Sequence, residues 1–180
     1  MSDITHLQYP IGKASIPTEI SEEKLQEWIT TLELLPVRLS TLVSDMSDEQ
    51  LDTPYRDGGW TVRQLVHHIS DSHHHSYIRF KWALTEDNPL IKPYLEKEWA
   101  ELDDAKYAPI EWSLKHIEVV HFKLVRLLKG MTNAQFERTF RHPEGKSTIS
   151  LRQNVGQYAW HSNHHYAHIE NLVKRENAGS

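Results

Sequence analysis

The feature that most constrains this chain is a helical spacing of apolar residues that recurs in four long segments, with very little strand signal between them. The segments cover residues 22–44, 61–84, 110–130 and 150–176. In each segment the apolar side chains return every three or four residues, which places them on one face of a helix. Four such faces have to be buried against one another. The pattern therefore predicts an all-α fold, a four-helix bundle, with residues 1–180 forming a single domain.

Capping residues support the limits of these helices. Thr61 and Ser150 are good N-caps, and each is followed three residues later by a glutamine, Gln64 and Gln153, as in a capping box. Gly130 closes the third segment as a natural C-terminal cap. These signals favour helices that begin and end near the edges of the apolar pattern.

The connections carry weaker signals. Residues 1–19 are expected to be an irregular N-terminal lead-in, and residues 47–50 have the form of a capping box for a short helical turn. Residues 85–109 make a long link between the second and third helices, which is expected to be a crossover between parallel neighbours or a lid. One short turn is expected within it at residues 96–102. Residues 139–149 predict a small hairpin before the fourth helix.

Composition excludes several classes of protein. The chain has no cysteine, so it has neither disulfides nor a thiolate nucleophile. A net charge of -5 argues against a protein that binds nucleic-acid phosphates, and no apolar run approaches the length of a membrane span. The 13 histidines stand out, since histidine is the commonest metal ligand.

The fourth predicted helix carries the sequence WHSNHHYAHI, residues 160–169. His161 and His165 are four residues apart and lie one above the other on the same side of a helix. His168 continues that side, whereas His164 is expected to turn toward solvent. Two histidines at this spacing can bind one ion, as in helix-borne zinc sites. The alternative is a row of polar flank residues on an amphipathic helix.

The second predicted helix carries HHISDSHHHS, residues 67–76. His67 points away from the apolar stripe, His68 lies on its flank and His73 lies in its middle. Periodicity therefore nominates His73 as a buried ligand and His68 after it. The alternative for His73 is a core histidine with a hydrogen-bonded ring. His74 and His75 are expected to face solvent.

Other catalytic signatures are missing from the sequence. It contains no GxSxG nucleophile elbow, no P-loop, no glycine-rich dinucleotide fingerprint and no HExxH zinc motif. Asp71 is a nearby carboxylate that could orient a ligand histidine or act as a base. It could equally be a solvated residue paired with His67 at four-residue spacing.

Three segments together resemble the DinB-like superfamily and, within it, the YfiT group of bacterial proteins classed as metal-dependent hydrolases. They are LDTPYRDGGWTVRQLVHHISDSHHHSYIRFK, the later HPEG and the closing YAWHSNHHYAHIENL. They occur in the order of the family, and the likeness extends from YPIG at residues 9–12 to the last helix. The resemblance implies a four-helix bundle with a long crossover.

The resemblance also implies a metal site. It assigns one divalent metal per chain, zinc first and nickel as the alternative, to His68, His161 and His165. This overrules the preference of periodicity for His73 and leaves open whether His73 or His168 joins the site. The resemblance further implies a cytoplasmic protein, a homodimer and a small-molecule substrate.

Three functions remain open on the sequence. The first is hydrolysis, in which the ion activates a water molecule. A general base need not be a separate residue, and Asp71 is a weak candidate for one. The second is transfer of a low-molecular-weight thiol of the bacillithiol type, which would supply the sulfur that this cysteine-free chain lacks. The third is a metal-stabilised binding or stress protein without turnover, for which a fourth protein ligand would be expected.

Overall fold

A bundle of four long helices forms the body of the protein in the computed structural model, which describes residues 5–143 and 148–179. In chain order the described elements are α1 (Thr5–Gln8), α2 (Glu22–Val43), α3 (Asp48–Leu51), α4 (Val62–Thr85), α5 (Glu96–Trp99), α6 (Asp103–Tyr107), α7 (Ile110–Lys129), α8 (Asn133–Phe136), β1 (Thr139–Arg141), β2 (Thr148–Ser150) and α9 (Leu151–Gly179). The four long helices α2, α4, α7 and α9 coincide with the predicted segments, and the predicted bundle is confirmed.

The helices begin where the sequence offers caps. Thr61 precedes α4. Its hydroxyl accepts a hydrogen bond from the Gln64 backbone N–H, and its own backbone N–H donates to the Gln64 side-chain oxygen, which completes the predicted capping box. Ser47 and Gln50 form the same motif at α3, and Ser21 caps α2. Each cap satisfies backbone N–H groups that the first helical turn leaves without partners.

The connections hold more helix than the sequence predicts. The N-terminal lead-in, expected to be irregular, contains α1, and the long link contains α6 in addition to the expected turn at α5. Helix α8 was not anticipated, although Thr132 and Gln135 form a capping box there. Helices of four or five residues are too short to show an apolar period, so capping residues are the sequence signal that can indicate them.

Helices α4 and α7 run parallel to each other. His67 near the start of α4 contacts Ser113 near the start of α7, and His73 contacts His121 further along both helices. A parallel pair requires its connection to return along the whole bundle. The expectation of a long crossover between parallel neighbours is therefore confirmed for the link between α4 and α7.

Helix α9 lies antiparallel to α4 and parallel to α2. His68 meets His161, whereas Ser76, later in α4, meets Asn154, earlier in α9. Along α2, a Cβ added at Gly156 would lie 2.7 Å from the Trp28 ring, so only glycine permits this approach of α2 and α9. This arrangement brings the histidine-rich middles of α4 and α9 together.

The core has two apolar clusters, one on each side of a polar layer. One cluster is centred on Leu25, Phe80 and Leu124, and the other on Leu39 and Ile69. Each fully buried side chain of this kind contributes roughly 1.5–3 kcal/mol. Between the clusters, near the middle of the bundle, lie the histidines of α4, α7 and α9. Burying this polar layer is unfavourable, and the apolar clusters on either side of it supply the stabilisation that offsets this cost.

The predicted hairpin is also present. Strands β1 and β2 pair antiparallel, with Phe140 opposite Ile149, and Phe140 is buried in the core. The turn residues Glu144 and Gly145, and with them the end of the HPEG motif, lie outside the described residues. Within the part of the chain that the structure describes, no helix has the length and apolarity needed to cross a bilayer.

The crossover is packed firmly against α4. Tyr94 stacks on His75 with ring centroids 4.3 Å apart, and Trp99 packs against both rings. The buried Gln64 side chain donates a hydrogen bond of 2.7 Å to the carbonyl of Ala100. These contacts make the crossover a fixed wall beside the histidine layer.

Candidate metal centre

Three histidines from two helices converge at the middle of the bundle. His68 lies on α4, and His161 and His165 lie one turn apart on α9. One ring nitrogen of each can be chosen so that all three lie within 4.8 Å of one another. The Nε2 atoms of His68 and His161 are 3.1 Å apart. The structure thus brings together the three residues that the resemblance assigns to the metal.

This geometry fits a nitrogen-preferring divalent ion. A tetrahedral zinc ion with Zn–N bonds of about 2.0–2.1 Å places its ligand nitrogens about 3.3 Å apart, close to the separation of the His68 and His161 Nε2 atoms. All three donors are imidazoles, which suit zinc, nickel or copper better than magnesium or calcium. The set is compatible with one ion bound between α4 and α9.

Burial keeps these imidazoles neutral. It lowers the pKa of His68 to about 4, with a smaller contribution from His164. Burial, followed by the neighbouring histidines, holds the pKa values of His161 and His165 well below the ordinary value. Only a neutral imidazole offers a lone pair to a metal, so at neutral pH all three rings are in the form that binds.

A chain of hydrogen bonds fixes which nitrogen His161 presents. The Leu32 carbonyl can only accept, so His121 donates to it from Nδ1 at 2.6 Å. The His121 Nε2 then accepts from the His73 Nδ1 at 2.9 Å, and the His73 Nε2 accepts from the His161 Nδ1 at 3.1 Å. The Nε2 lone pair of His161 is therefore left to face His68. This is how proteins commonly orient metal-binding histidines.

A second chain does the same for His165. The His168 Nε2 donates to the Gln8 carbonyl at 3.2 Å, which leaves its Nδ1 as an acceptor. The His165 Nδ1 lies 3.3 Å from that atom and donates to it. The Nε2 of His165 is thereby left as the free lone pair. His73 and His168 thus both stand one hydrogen bond behind a candidate ligand.

A second histidine group shares one member with the first. The ring nitrogens of His164, His165 and His168 can also be chosen to lie within 4.8 Å of one another. Both nitrogens of His168, however, already take part in the chain from His165 to Gln8. The His164 ring stacks on Trp160 at 4.4 Å. The first group is therefore the better candidate metal centre, because the two hydrogen-bonded chains engage the Nδ1 atoms of His161 and His165 and leave their Nε2 lone pairs to bind an ion.

The structure corrects some expectations about the remaining histidines. His164 is buried, not solvent-facing, because Tyr9 of the N-terminal segment covers its ring. His67 is buried too, since α6 and α7 cover the face of α4 opposite the main stripe, where it contacts the Ser113 hydroxyl at 2.7 Å. His74 and His75 are half-buried.

Asp71 does not join the histidine layer. Its carboxylate makes no hydrogen bond to the rings of His68, His161 or His165 within residues 5–143 and 148–179, and His67 bonds elsewhere. Burial, followed by the charge of Asp104, raises the pKa of Asp71 to about 6. Neither expected role, as orienting group or as partner of His67, is seen in this arrangement.

A cavity of about 650 Å³ reaches the metal centre from one side. Its wall includes His161 and Ser72, and the Ser72 hydroxyl lies 3.5 Å from the His161 Nε2. His161 is the half-buried member of the trio, whereas His68 and His165 are buried. The candidate centre is therefore open to a small molecule rather than sealed in the core.

Comparison with known proteins decides the family. The model of the DinB superfamily matches residues 31–169 of the chain. The chain belongs to the DinB superfamily. "Putative metal-dependent hydrolase YfiT" of Bacillus subtilis (strain 168) is 51% identical to it over 94% of this chain and 96% of its own length. A protein of Oceanobacillus iheyensis with the same description is 53% identical, over 94% of this chain and 97% of its own length.

A solved structure within the DinB superfamily has the same fold. The structure of YfiT from Bacillus subtilis, described as "a probable metal-dependent hydrolase with an unusual four-helix bundle topology", superimposes with a TM-score of 0.93. It is 50% identical in sequence and covers 96% of this chain and 98% of its own. This agreement spans all four long helices and the crossover.

Sequence reasoning missed His121. It follows the apolar residues Ile117 and Val120 and precedes Leu124, so it lies on the buried stripe of α7. A histidine on such a stripe needs a buried hydrogen-bond partner. The position of His121 on the stripe was the one signal in the sequence that could have identified it. Its partners, Leu32 and His73, lie on other helices, so sequence spacing could not identify them.

His73 offers a direct test of the first hydrogen-bonded chain. Changing His73→Phe keeps a ring of similar size but removes the acceptor for the His161 Nδ1–H. We expect zinc affinity to fall about 10- to 100-fold, measured by competition with a chromophoric chelator. The matched control is His74→Phe, one position along α4, where the ring contacts His116 and not the trio. Equal zinc affinities for wild type and His73→Phe would show that the chain does not orient His161.

Proposed function

We propose that this chain is a metal-dependent hydrolase that holds one divalent ion, zinc first and nickel as the alternative, through His68, His161 and His165. The observation that carries the proposal is the convergence of three neutral ring nitrogens at the end of a cavity. The names of the relatives in the DinB superfamily support the same reaction class.

The arrangement of the ligands favours catalysis over a purely structural role. Three protein ligands leave a coordination position open, as in catalytic zinc sites. His73 and His168, the two candidates for a fourth ligand, direct nitrogens to His161 and His165 instead. His68, His161 and His165 would hold a zinc ion, which would supply a nucleophile when bound, since zinc can lower the pKa of water to about 7.

The residues around the centre have distinct tasks in this proposal. The two hydrogen-bonded chains hold the His161 and His165 rings in one orientation, so the donors need no rearrangement. The Ser72 hydroxyl, on the cavity wall beside His161, can donate or accept a hydrogen bond to a molecule in the cavity. Asp71 is assigned no step, because it does not line this cavity.

Turnover by the zinc-loaded protein tests the proposal. We expect slow hydrolysis of at least one member of a panel of carboxylic esters and amides, and loss of that activity in His161→Ala. His116→Ala, on α7 outside the trio, is the control and should retain it. Turnover that requires an added thiol and an electrophile such as a chlorinated aromatic would make the protein a thiol transferase. Full zinc occupancy with no turnover in either assay would leave a metal-stabilised binding protein.

We propose further that residues 1–180 act as one domain, in the cytoplasm and as a homodimer, without binding nucleic acid or membrane. The lack of cysteine supports a cytoplasmic location. The net charge of -5 supports a protein that does not bind nucleic acid. The outer face of α7 exposes Trp112 and Phe122, by 66% and 69%, which is unusual unless a partner covers them. A monomeric mass in light scattering at micromolar concentration would contradict the dimer.

A further inference from the structure

The cavity beside the candidate metal centre contains a half-buried cationic side chain. Its wall is formed by α4, α9, β2 and the crossover, and Arg79 of α4 lines it together with Tyr158 of α9. The Arg79 Nη1 donates to the Tyr158 hydroxyl at 3.2 Å. The Arg79 Nε is buried and has no hydrogen-bond partner. A guanidinium cannot lose its charge, so its unused donors are costly to bury without a ligand.

Arg79 differs in this respect from two other arginines with little exposed side chain, Arg63 and Arg152. Arg63 has a side chain only 7% exposed and is paired with two aspartates, at 2.7 and 2.9 Å. Arg152 is 12% exposed and lies 3.0 and 3.6 Å from two glutamates. Among residues 5–143 and 148–179, Arg79 has no carboxylate within ion-pair distance. Its charge is therefore available to a molecule in the cavity.

A second polar group in the same cavity also lacks a partner. The Tyr94 hydroxyl on the crossover is buried, and no hydrogen bond of good geometry satisfies it, although the Ser72 hydroxyl lies beside it. Two independent buried donors thus line one cavity. Buried polar groups in proteins are almost always satisfied, so an unsatisfied pair indicates a binding site.

The charged side chains around the cavity limit the charge that a ligand can carry. The crossover adds Lys97 to the cation of Arg79 but also adds the carboxylates of Glu96 and Glu98. The wall on α9 is made of neutral amides, from Gln153, Asn154 and Gln157. A strongly charged anion would be repelled by the glutamates, whereas one carboxylate matches the planar fork of one guanidinium.

The length of the cavity sets the shape of the ligand. Gln157 and Gln153 precede His161 by one and two helical turns, which is about 6 and 12 Å at a rise of 1.5 Å per residue. Tyr158, whose hydroxyl contacts Arg79, precedes His161 by three residues. The rings of Tyr158 and His161 lie 5.7 Å apart, so a small molecule bound at Arg79 can reach His161, and the row of glutamines leaves room for a longer one.

We propose that Arg79 and Tyr94 anchor the carboxylate of a small monoanionic substrate whose reacting group lies at the His161 end of the cavity. This assignment names the substrate class for the proposed hydrolase and rests on it for the place of reaction. The anchor itself requires no metal. Binding can therefore be tested separately from turnover.

The experiment measures binding of a carboxylate and of its neutral amide to the metal-free and the zinc-loaded protein. The probes are N-benzoylglycine and N-benzoylglycinamide, with acetate and N-acetylglycine as shorter acids, and dissociation constants come from NMR titration. We expect the metal-free protein to bind the longer acid and to bind its amide about 10-fold or more weakly. Arg79→Gln should weaken the acid by about 10- to 100-fold and leave the amide unchanged.

Matched variants make the outcome specific. Arg79→Lys keeps the charge but not the fork and should recover only part of the affinity. The exposed Arg126→Gln, outside the cavity, should bind as wild type does, and circular dichroism checks that all variants are folded. Zinc content should be equal in wild type and Arg79→Gln. A wild-type protein that takes up no zinc would overturn the proposed hydrolase while the acid and amide titrations still decide the anchor.

Three results would overturn the anchor. They are equal affinity of acid and amide, equal affinity of wild type and Arg79→Gln for the acid, and failure of every carboxylate to bind. Tighter binding of inorganic phosphate than of any carboxylate would overturn the assignment of a monocarboxylate.

Discussion

Removing the metal ion at about pH 7.5 is expected to lower the melting temperature of this protein by about 10 °C. The proposed ligands come from α4 and α9, and only the folded chain brings their donors within 4.8 Å of one another. An ion at about 1,000 times its dissociation constant stabilises the folded state by about 4 kcal/mol. In a protein of this size each kcal/mol moves the melting temperature by about 2–4 °C.

The measurement is a pair of calorimetric melts, one of zinc-loaded protein and one of protein treated with a chelator and then dialysed. His68→Ala, His161→Ala and His165→Ala should each lose bound zinc and abolish most of the difference between the two melts. The control His74→Ala keeps the trio intact and should retain the full difference. Identical melts for loaded and metal-free wild type would mean that no ion bridges α4 and α9, and the proposed centre would fail with them.

The fold could be predicted well from sequence because its signal is periodic. The apolar stripes of α2, α4, α7 and α9 extend over five or more turns each, and capping residues such as Thr61 mark their limits. The length of the link left a crossover or a lid as alternatives, and the resemblance to the DinB-like superfamily implied the crossover. Helix α8 was missed because four residues cannot show a period.

The candidate centre was predictable only in part. Periodicity could place His161 and His165 on one side of a helix, but it ranked His73 above His68. The reason is physical: His73 is fully buried, yet its nitrogens are directed to His161 and His121. Burial and ligation are different properties, and sequence spacing reports only the first.

The roles of ring nitrogens depend on partners that are distant in sequence. The orientation of His161 depends on Leu32, which is 129 positions earlier in the chain, through two intervening rings. The orientation of His165 depends on the backbone of Gln8 through His168. Arg79 likewise stands out only once its lack of a carboxylate partner can be seen. Such facts belong to tertiary structure, so no local pattern encodes them.

Acid is expected to unfold the metal-free protein between about pH 6 and 4, whereas the contribution of its buried histidines to stability should be constant above about pH 7.5. Burial lowers the pKa of His68 and of His121 to about 4 from the ordinary value of 6.5. As pH falls below 6.5, the unfolded chain binds protons that the folded chain does not. Each of these two histidines then removes up to about 1.4 kcal/mol from the free energy of unfolding per pH unit. Over the whole range from pH 6.5 to 4, each one removes about 3 kcal/mol.

Other groups shift the size of this effect but not its direction. The pKa values of His164 and His168 are also lowered to about 4, mainly by burial, and add to the loss. Asp71 acts in the opposite sense, because burial raises its pKa to about 6 and its protonation favours the folded state. One carboxyl group cannot offset several histidines. The summed loss is comparable with the 5–15 kcal/mol that typically stabilises a domain, as an order of magnitude.

The zinc-loaded protein should keep its metal through about pH 6 and lose it together with its fold at a lower pH than the metal-free protein, because burial lowers the pKa of the ligand imidazole of His68 to about 4 and so delays the competition of protons with zinc. Urea denaturation at a series of pH values, with zinc measured in parallel, tests both parts. His121→Leu removes one titrating ring and should flatten the pH dependence of the free energy of unfolding by about one proton between pH 6.5 and 4. The matched control Val119→Leu, on the exposed face of α7, removes no titrating group and should leave the slope unchanged. A metal-free protein whose free energy of unfolding does not change between about pH 7 and 5 would show that the histidine layer is not held neutral by burial, and the orientation argument for His161 and His165 would lose its basis.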